Sequence, residues 1–302
     1  MFTQTSIMIN KIQHSFSIQD LEILSGIKAH TIRIWEKRYS LLNPTRLNRN
    51  IRVYSLIDLQ KILNTSLLQK HQFKISEIAK LTDSEIEKKA KAIALNNFQS
   101  NYHLNSLLVS MFSFDDELFE EIYEEQTKSL NFREIYVNTY LPLLHHIGLL
   151  WQTKSIKPAQ EHFISNLIYQ KIVLTIAKTP NIKAQKKRVN VLFLPEGEVH
   201  EIGLLYMMYH LKVMGEKIIY LGRDIPTEDL FDINSQFQEI NWICSFVIDR
   251  TDEEKTEFIA QMEQLLRHTK NTCMIIGSIW RDYLATSTVK NITFHEGFDK
   301  LV

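Results

Sequence analysis

The sequence predicts a multidomain protein that is helical over its first two thirds and a layered α/β structure over its last third. Three observations predict this division. Apolar residues recur at helical spacing from residue 18 to residue 178, short apolar runs alternate with helical segments after residue 188, and charge is divided unevenly. Residues 1–80 hold 12 Lys and Arg against 5 Asp and Glu, whereas residues 81–302 hold 23 against 30. A basic end joined to an acidic remainder favours a nucleic-acid-binding domain followed by a partner domain.

The length and composition of the chain limit the kind of protein that it can be. A chain of 302 residues with 44% hydrophobic residues can form two or three packed domains. It has no apolar run of about 18 residues and no cationic amino-terminal segment followed by an apolar run, so we expect a cytoplasmic protein with no membrane partner. Cys244 and Cys273 lie inside predicted strands, which favours buried free thiols.

The first element is a pair of short helices joined by a turn. Ser17 is an N-cap residue ahead of apolar positions at helical spacing, and Gly26 ends that helix. A second helix is predicted over residues 28–39, with Ile32 and Trp35 on its inner face and basic residues on its outer face. This is a helix-turn-helix pattern, whose second helix enters the major groove while flanking cations hold phosphates.

A turn-rich basic segment follows over residues 43–54 and leads into a capped helix start at Ser55. Its Asn, Pro and Arg residues, followed by an alternating stretch, indicate a short hairpin, or wing. Residues 1–80 are therefore predicted to form an α winged helix-turn-helix domain.

Residues 16–80 resemble the MerR family of winged helix-turn-helix regulators. In that family a Thr-x-Arg-x-Trp/Tyr-Glu-x-Arg run forms the recognition helix, and an Arg-x-Tyr ends the wing. Here the run is Thr31, Arg33, Trp35, Glu36 and Arg38, and the wing ends with Arg52 and Tyr54. Tyr54 either fills the base of the wing or touches a phosphate. The resemblance implies that the residues binding double-stranded operator DNA are Thr31, Arg33, Arg38, Arg46, Arg49, Arg52 and Tyr54.

Residues 81–180 are predicted to form a four-helix cap bundle. Helical periodicity runs from a capped start at Thr82 through a last helix that begins near Pro158. Gly148 near the end of the third helix and Pro158 at the start of the fourth predict that Trp151 lies in the connection between them. Glu161 and His162 would then lie on the first turn of the fourth helix, at the same end of the bundle as Trp151.

Residues 181–302 begin with a polar, basic linker and continue as alternating strands and helices. Strands are predicted near 189–194, 217–221, 241–247, 272–276 and 291–294, which gives an α/β flavodoxin-like doubly wound parallel sheet. His200 falls on the loop after the first strand, at the edge of the sheet where ligands bind. A neutral imidazole there could ligate a metal-centred cofactor, with Glu198 accepting its other ring N–H.

Residues 185–280 resemble the cobalamin-binding module shared by methionine synthase, the carbon-skeleton mutases and light-sensing repressors. The module carries a Glu/Asp-x-His-x-x-Gly loop, matched here by Glu198, His200 and Gly203. The resemblance implies that His200 replaces the cofactor's own base below cobalt and that Gly203 allows close approach of the corrin. In the repressor branch a Trp and a Glu-His pair lie above cobalt, which implies that role for Trp151, Glu161 and His162.

The sequence departs from that module at two places. Ser245 and Gly277 match the family residues that grip the nucleotide tail of the cofactor, but Ser278 replaces the second glycine of the usual Gly-Gly. Gln152 follows Trp151 where light-sensing members can carry a second histidine. These departures leave a second interpretation open, in which the domain is degenerate and serves oligomerisation or protein interaction.

Together these features predict a DNA-binding transcriptional regulator, acting as a homodimer or homotetramer, that senses adenosylcobalamin or methylcobalamin. Repression is favoured, and the sequence leaves activation open. Light sensing through adenosylcobalamin is one version of this hypothesis. An enzyme is disfavoured, because the three predicted domains leave no residues for a catalytic barrel.

Overall fold

The computed structural model describes residues 15–47, 51–96, 102–152, 156–180, 188–286 and 291–298. The chain forms two compact units, Met1–Leu167 and Ile168–Val302. Within the described ranges, no helix is long and apolar enough to cross a membrane.

The amino-terminal unit begins with the predicted helix-turn-helix. Helix α1 (Ile18–Ser25) starts with a capping box, in which Ser17 and Asp20 each bond the other's backbone N–H, and it ends at Gly26 with φ 72°. Helix α2 (Ala29–Tyr39) buries Ile32 and Trp35 completely or nearly so. The predicted pair of helices is confirmed, and its apolar face is the one that the spacing predicts.

The predicted wing is also present. Strands β1 (Thr45–Leu47) and β2 (Ile51–Val53) pair antiparallel, with Arg46 opposite Arg52. Helix α3 (Leu56–Lys70) follows, and its start is fixed by a capping box of Ser55 and Asp58.

The helical region continues with shorter elements. They are α4 (Ile75–Ile78), α5 (Asp83–Asn96), α6 (Tyr102–Ser113), α7 (Asp116–Thr127), α8 (Phe132–Ile135), a π-helical turn (Tyr136–Tyr140), α9 (Leu141–Gln152) and α10 (Pro158–Lys178). Helix α6 packs against α3, α7 and α9. This accords with the helical region predicted from periodicity, and Pro158 opens α10 as predicted.

One local prediction in this region is wrong. Trp151 lies in the last turn of α9, not in a connection, because the helix runs through Gly148 to Gln152. A glycine inside a helix costs roughly 1 kcal/mol relative to alanine. Burial of Leu150, which is 0% exposed, contributes about 2 kcal/mol and offsets that cost.

The second unit contains a five-stranded, all-parallel sheet with helices on both faces. Its elements are β3 (Val189–Pro195), α11 (Ile202–Val213), β4 (Ile218–Ile225), α12 (Asp229–Asn234), β5 (Ile240–Ser245), α13 (Asp252–Leu266), β6 (Thr272–Ile276), a 3₁₀ turn (Ser278–Trp280), α14 (Arg281–Thr286) and β7 (Ile292–His295). The strand order is β4-β3-β5-β6-β7. This is the flavodoxin-like order, so the predicted fold class is confirmed.

Alternate residues of the central strands pack on opposite faces of the sheet. In β3, Val191 and Phe193 face the cluster that includes α13, whereas Leu192 and Leu194 face the cluster that includes α11. Cys244 and Cys273 lie buried in the first cluster with free thiols, as predicted. The strand order reverses between β3 and β5, so their carboxyl ends flank the crevice in which such sheets bind ligands.

Candidate functional site

A single buried carboxylate organises the crevice between β3 and β5. Glu198 is 0% exposed. Its Oε1 accepts hydrogen bonds from the N–H groups of Val199 and His200, both at 3.0 Å, and from Nδ1 of His200 at 2.6 Å. Its Oε2 accepts from the N–H groups of Val247 and Ile248 at 2.8 and 2.9 Å. Glu198 therefore joins the loop after β3 to the loop after β5.

The ionisation of Glu198 determines which ring nitrogen of His200 carries the proton. Burial raises the pKa of Glu198, but the hydrogen bond from the His200 ring and those from the N–H groups of Ile248, Val247 and His200 outweigh burial and bring the pKa to about 2. The carboxylate is ionised at neutral pH, so Nδ1 of His200 carries the proton that it donates. Nε2 is then the unprotonated ring nitrogen, the one that could ligate a metal, and 48% of the side chain is exposed.

The depressed pKa predicts a loss of stability in acid. The ordinary pKa is 4.5 and the folded value is about 2, so the stabilisation is present above pH 4.5 and is lost as pH falls towards 2. The stabilisation is on the order of 3 kcal/mol. We expect the unfolding free energies of the wild type and of Glu198→Gln to converge over this pH range in urea titrations. Glu196→Gln, in the same loop but exposed, should parallel the wild type. A constant gap between wild type and Glu198→Gln from pH 5 to pH 2 would contradict the assignment.

Neighbouring loops hold the rest of the His200 loop. The N–H of Gly197 donates to Asp224, near the end of β4, at 2.7 Å. The guanidinium of Arg250, which follows β5, donates to the carbonyl of Glu196 at 2.8 Å. Gly197 has φ +75°, and a Cβ there would lie 3.0 Å from that guanidinium, so glycine is required. The loop is thus fixed from both sides before any ligand binds.

The residue after His200 is also restrained. Glu201 accepts a hydrogen bond from the hydroxyl of Tyr220 at 2.9 Å and lies 3.3 Å from Nε of Arg223. Burial raises the pKa of Tyr220, so its hydroxyl stays protonated and donates. Sequence reasoning missed this contact, because Tyr220 and Arg223 lie on a different strand from the loop that they support.

Exposed apolar residues share the Glu198 carboxylate with His200. Val199, Val247 and Ile248 are 52%, 60% and 38% exposed. All three donate their backbone N–H to Glu198, so the same carboxylate that orients His200 also positions them. Exposed apolar side chains beside an oriented imidazole would fit a ligand that is large and apolar around its metal. Sequence analysis did not single out these three residues.

The α/β unit contains three more residues predicted to bind the cofactor, Ser245, Gly277 and Gly203. Ser245 ends β5 and is 2% exposed, and its Oγ has no hydrogen-bond partner among the residues that the structure describes. Gly277 has φ +154°, and a Cβ there would collide with the carbonyl oxygen of Phe246. A Cβ on Gly203 would overlap the ring of Phe298. Glycine at position 277 is therefore required by the neighbouring backbone, whereas a side chain at position 203 would have to displace the Phe298 ring.

The other predicted cofactor residues lie on α9 and α10. Glu161 is on the first turn of α10, where Ser165 donates to it at 2.7 Å. Nδ1 of His162 lies 3.5 Å from Glu161, and its side chain is 71% exposed. Trp151 lies on the last turn of α9. The structure thus brings together Glu161 and His162, and separately Glu198 and His200.

The outer face of α2 carries the predicted DNA-binding side chains. Arg33 and Arg38 are exposed, as is Arg46 on β1, and Thr31 is half-buried. Ile34 is 52% exposed on the same outer face as Arg33, a feature that sequence analysis did not single out. Arg49 lies outside the described residues. Cations on both the helix and the wing form a surface suited to phosphates.

Two other residues predicted to bind DNA, Arg52 and Tyr54, connect the wing to α2. Glu36 accepts hydrogen bonds from Nε of Arg52 at 2.9 Å and from the hydroxyl of Tyr54 at 3.1 Å. Tyr54 is 0% exposed, which favours the alternative in which it fills the base of the wing over a phosphate contact. The Arg52 side chain is 31% exposed. These contacts fix the wing relative to the recognition helix.

Comparison with known families gives two matches, both ahead of the five-stranded sheet. The MerR HTH family regulatory protein model matches residues 16–85, and the B12 binding domain model matches residues 104–174. The second match includes Trp151, Glu161 and His162.

Two curated relatives come from Myxococcus xanthus. The HTH-type transcriptional repressor CarH is 26% identical over 224 residues, which cover 72% of this chain and 74% of that protein. The HTH-type transcriptional repressor CarA is 26% identical over 290 residues, which cover 94% of each protein. Among solved structures, the monomethylamine corrinoid protein of Methanosarcina barkeri matches with a TM-score of 0.56 at 15% identity, over 67% of this chain and 96% of that one. At this identity the structural match bears on the fold alone.

Proposed function

We propose that cobalamin is the signal sensed by this chain, a DNA-binding transcriptional regulator that joins a MerR-type helix-turn-helix segment to a B12-binding segment. The relatives CarH and CarA are named transcriptional repressors, which supports repression as the direction of control. Operator DNA is the partner of residues 16–85, and we propose that the regulator acts in the cytoplasm as a homo-oligomer.

The observation that carries the cofactor proposal is the His200–Glu198 pair. An imidazole whose Nδ1 donates to a buried, ionised carboxylate presents Nε2 in a fixed orientation, which is how proteins prepare a histidine to ligate a metal. Across the described ranges there is no group of three or more His, Cys, Asp or Glu that could hold a metal ion. A single ordered histidine beside exposed apolar side chains suits a metal whose other ligands come with a macrocycle.

Several residues fit the cofactor besides His200. Val199, Val247 and Ile248 would contact the apolar surface of the corrin, and Ser245 would donate to or accept from its tail through the Oγ that has no partner in the described structure. The family match over residues 104–174 supports a part in cobalamin binding for Trp151, Glu161 and His162. Bound adenosylcobalamin would supply a cobalt–carbon bond that light can break, which makes light one candidate trigger.

The experiment that tests cofactor binding is direct. The purified chain is mixed in the dark with adenosylcobalamin, methylcobalamin or hydroxocobalamin, desalted, and examined by visible spectroscopy. Retention of at least one form with a histidine-ligated spectrum supports the proposal. A colourless protein after all three incubations would leave the second candidate, a regulator whose α/β domain serves oligomerisation. The replacement of a glycine by Ser278 next to Gly277 is the observation that favours that candidate.

We also propose that the chain is not an enzyme. Both curated relatives are transcriptional regulators by name, and every predicted segment is assigned to DNA binding or sensing. A methyl-transfer assay with the methylcobalamin-loaded chain and a thiol acceptor should give no methylated product above the free-cofactor background. Catalytic turnover would overturn this part of the proposal.

The proposed DNA-binding surface predicts how one substitution changes the affinity for DNA and its dependence on salt. Arg46 is an exposed cation on the wing, so Arg46→Ala should weaken binding to all duplex sequences alike and lower the slope of log affinity against log salt by about 1. Lys88→Ala is the matched control, because Lys88 is an equally exposed cation on α5, outside the recognition helix and the wing. Fluorescence-anisotropy titrations from low to moderate salt measure both slopes. An unchanged slope for Arg46→Ala would remove Arg46 from the phosphate-binding surface.

A further inference from the structure

The ring of Phe298 fills the space that Gly203 leaves open. Gly203 is on the first turn of α11, three residues after His200, and a Cβ there would overlap the Phe298 ring. The ring packs on the apolar cluster of that sheet face, formed by Leu192, Leu194, Leu204, Met207, Ile243 and Ile276. Phe298 is the one aromatic residue from beyond β7 in this cluster, as far as the structure is described.

A buried hydroxyl faces the same side of the sheet. Alternation along β5 sends Trp242 and Cys244 to the opposite cluster and Ile243 to the cluster of Phe298, so Ser245 shares the side of Ile243. Its Oγ is buried and has no hydrogen-bond partner in the described part of the chain. The phenyl ring of Phe298 cannot accept or donate a conventional hydrogen bond. One face of the sheet therefore carries both the Phe298 ring beside Gly203 and a buried hydroxyl that has no partner in the described structure, and an occupant that is flat and aromatic but also polar would suit both.

The proposed cofactor has a group of this chemistry. The benzimidazole nucleotide of cobalamin is tethered to the same side of the corrin on which it ligates cobalt. If His200 takes that coordination position, the nucleotide must leave cobalt while remaining on the protein side. Resting on the proposed cobalamin function, we propose that Phe298 is a plug that holds the nucleotide slot beside Gly203 closed, and that it is displaced when the tail enters.

The position of Phe298 beyond the last strand would allow its ring to move. Strand β7 ends at His295, so Phe298 lies three residues beyond the ladder that holds the sheet. Glu296, between them, forms an ion pair with Arg281 on the surface. The ring can therefore leave the cluster without breaking a strand pairing. Because part of the population is plugged, the apparent affinity for cobalamin is reduced by the fraction of molecules whose slot is open.

Removal of the ring tests the plug with two probes. Adenosylcobalamin carries the nucleotide tail, and adenosylcobinamide lacks it. Phe298→Ala should bind adenosylcobalamin about 10-fold more tightly than the wild type, because the closed state is removed. Its affinity for adenosylcobinamide should stay within about twofold. Phe298→Leu retains an apolar side chain of intermediate size and should give an intermediate gain, which keeps the test available if the alanine variant unfolds.

Other outcomes separate this inference from the function on which it rests. If the wild type binds both corrinoids and Phe298→Ala or Phe298→Leu binds adenosylcobalamin no more tightly, Phe298 is a fixed wall and only the plug is overturned. If neither the wild type nor the variants bind either corrinoid, the proposed function fails together with the plug. If only the variants bind adenosylcobalamin, the result supports both the plug and the proposed cobalamin function.

Hydrogen exchange gives an independent measure on the unmodified chain. Addition of adenosylcobalamin should speed amide exchange at residues 296–298, because the plug leaves its cluster, whereas adenosylcobinamide should not. Slower exchange at these residues with both corrinoids would mean that the segment closes over the ligand, which overturns displacement.

Discussion

His200→Ala is expected to abolish stable retention of cobalamin. The structure orients the imidazole through a buried carboxylate, and its loss removes the proposed ligand of cobalt. Replacement of residues that merely orient a metal ligand costs about 10- to 100-fold in affinity, so loss of the ligand itself should cost at least about 100-fold. We expect a variant that is nearly colourless after desalting, or one whose residual cofactor has lost the histidine-ligated spectrum.

The matched control for this variant is Val199→Ala. Val199 is the exposed neighbour of His200 in the same loop, and its backbone N–H still donates to Glu198 after truncation. Its spectrum should remain histidine-ligated, with at most a modest loss of affinity from the reduced apolar surface. Far-ultraviolet circular dichroism of both variants checks that the fold is intact. A folded His200→Ala variant with the wild-type spectrum would show that another group ligates cobalt.

The second large effect is expected at Glu198. Glu198→Ala removes the acceptor of four backbone N–H groups and of the His200 ring, and the crevice loops lose the contact that joins them. Unsatisfied groups of this kind cost about 1–3 kcal/mol each when fully buried, and partial access of water should limit the total to about 2–4 kcal/mol. We also expect cobalamin affinity to fall about 10- to 100-fold, because the imidazole is no longer oriented.

Urea unfolding of the full chain measures the stability effect. Glu198→Gln keeps one acceptor oxygen and should fall between the alanine variant and the wild type. Glu196→Ala, in the exposed part of the same loop, should unfold within about 0.5 kcal/mol of the wild type. An equally small change for Glu198→Ala would mean that water replaces the carboxylate without cost, and the loop would not be preorganised.

The local elements could be predicted because their signals are local. The caps Ser17 and Ser55 and the helix end at Gly26 depend on residues within one turn of each other, and the structure contains them where they were expected. The alternation of apolar runs with helices after residue 188 predicted a parallel sheet, and short right-handed connections then leave few strand orders. The charge division likewise pointed to the basic outer face of α2.

The contacts that organise the site are distant in sequence and leave no such signal. Glu198 bonds Val247 and Ile248, about fifty residues away, and no pattern marks those N–H groups as its donors. Tyr54 follows a basic run, yet its hydroxyl is buried against Glu36. The Phe298 ring meets Gly203 across about ninety-five residues. In each case tertiary packing decides what the local pattern leaves open.

The coupling of cofactor to DNA requires that cobalamin bind one conformation or assembly more tightly than another. A ligand with equal affinity for both would leave the operator affinity unchanged. Cobalamin binding and DNA binding must therefore be measured together, on the same protein.

The most direct test is the affinity of the full chain for operator DNA. The DNA is a duplex that the chain itself selects from a random pool. The affinity is measured without cofactor, with adenosylcobalamin in the dark, and after illumination. We predict that the loaded and unloaded proteins differ in dissociation constant by about 10-fold or more, within the range of allosteric coupling. The difference should disappear in His200→Ala. A coloured, loaded wild-type protein with the same affinity in all three states would contradict the account, because the chain would then bind cobalamin without sensing it.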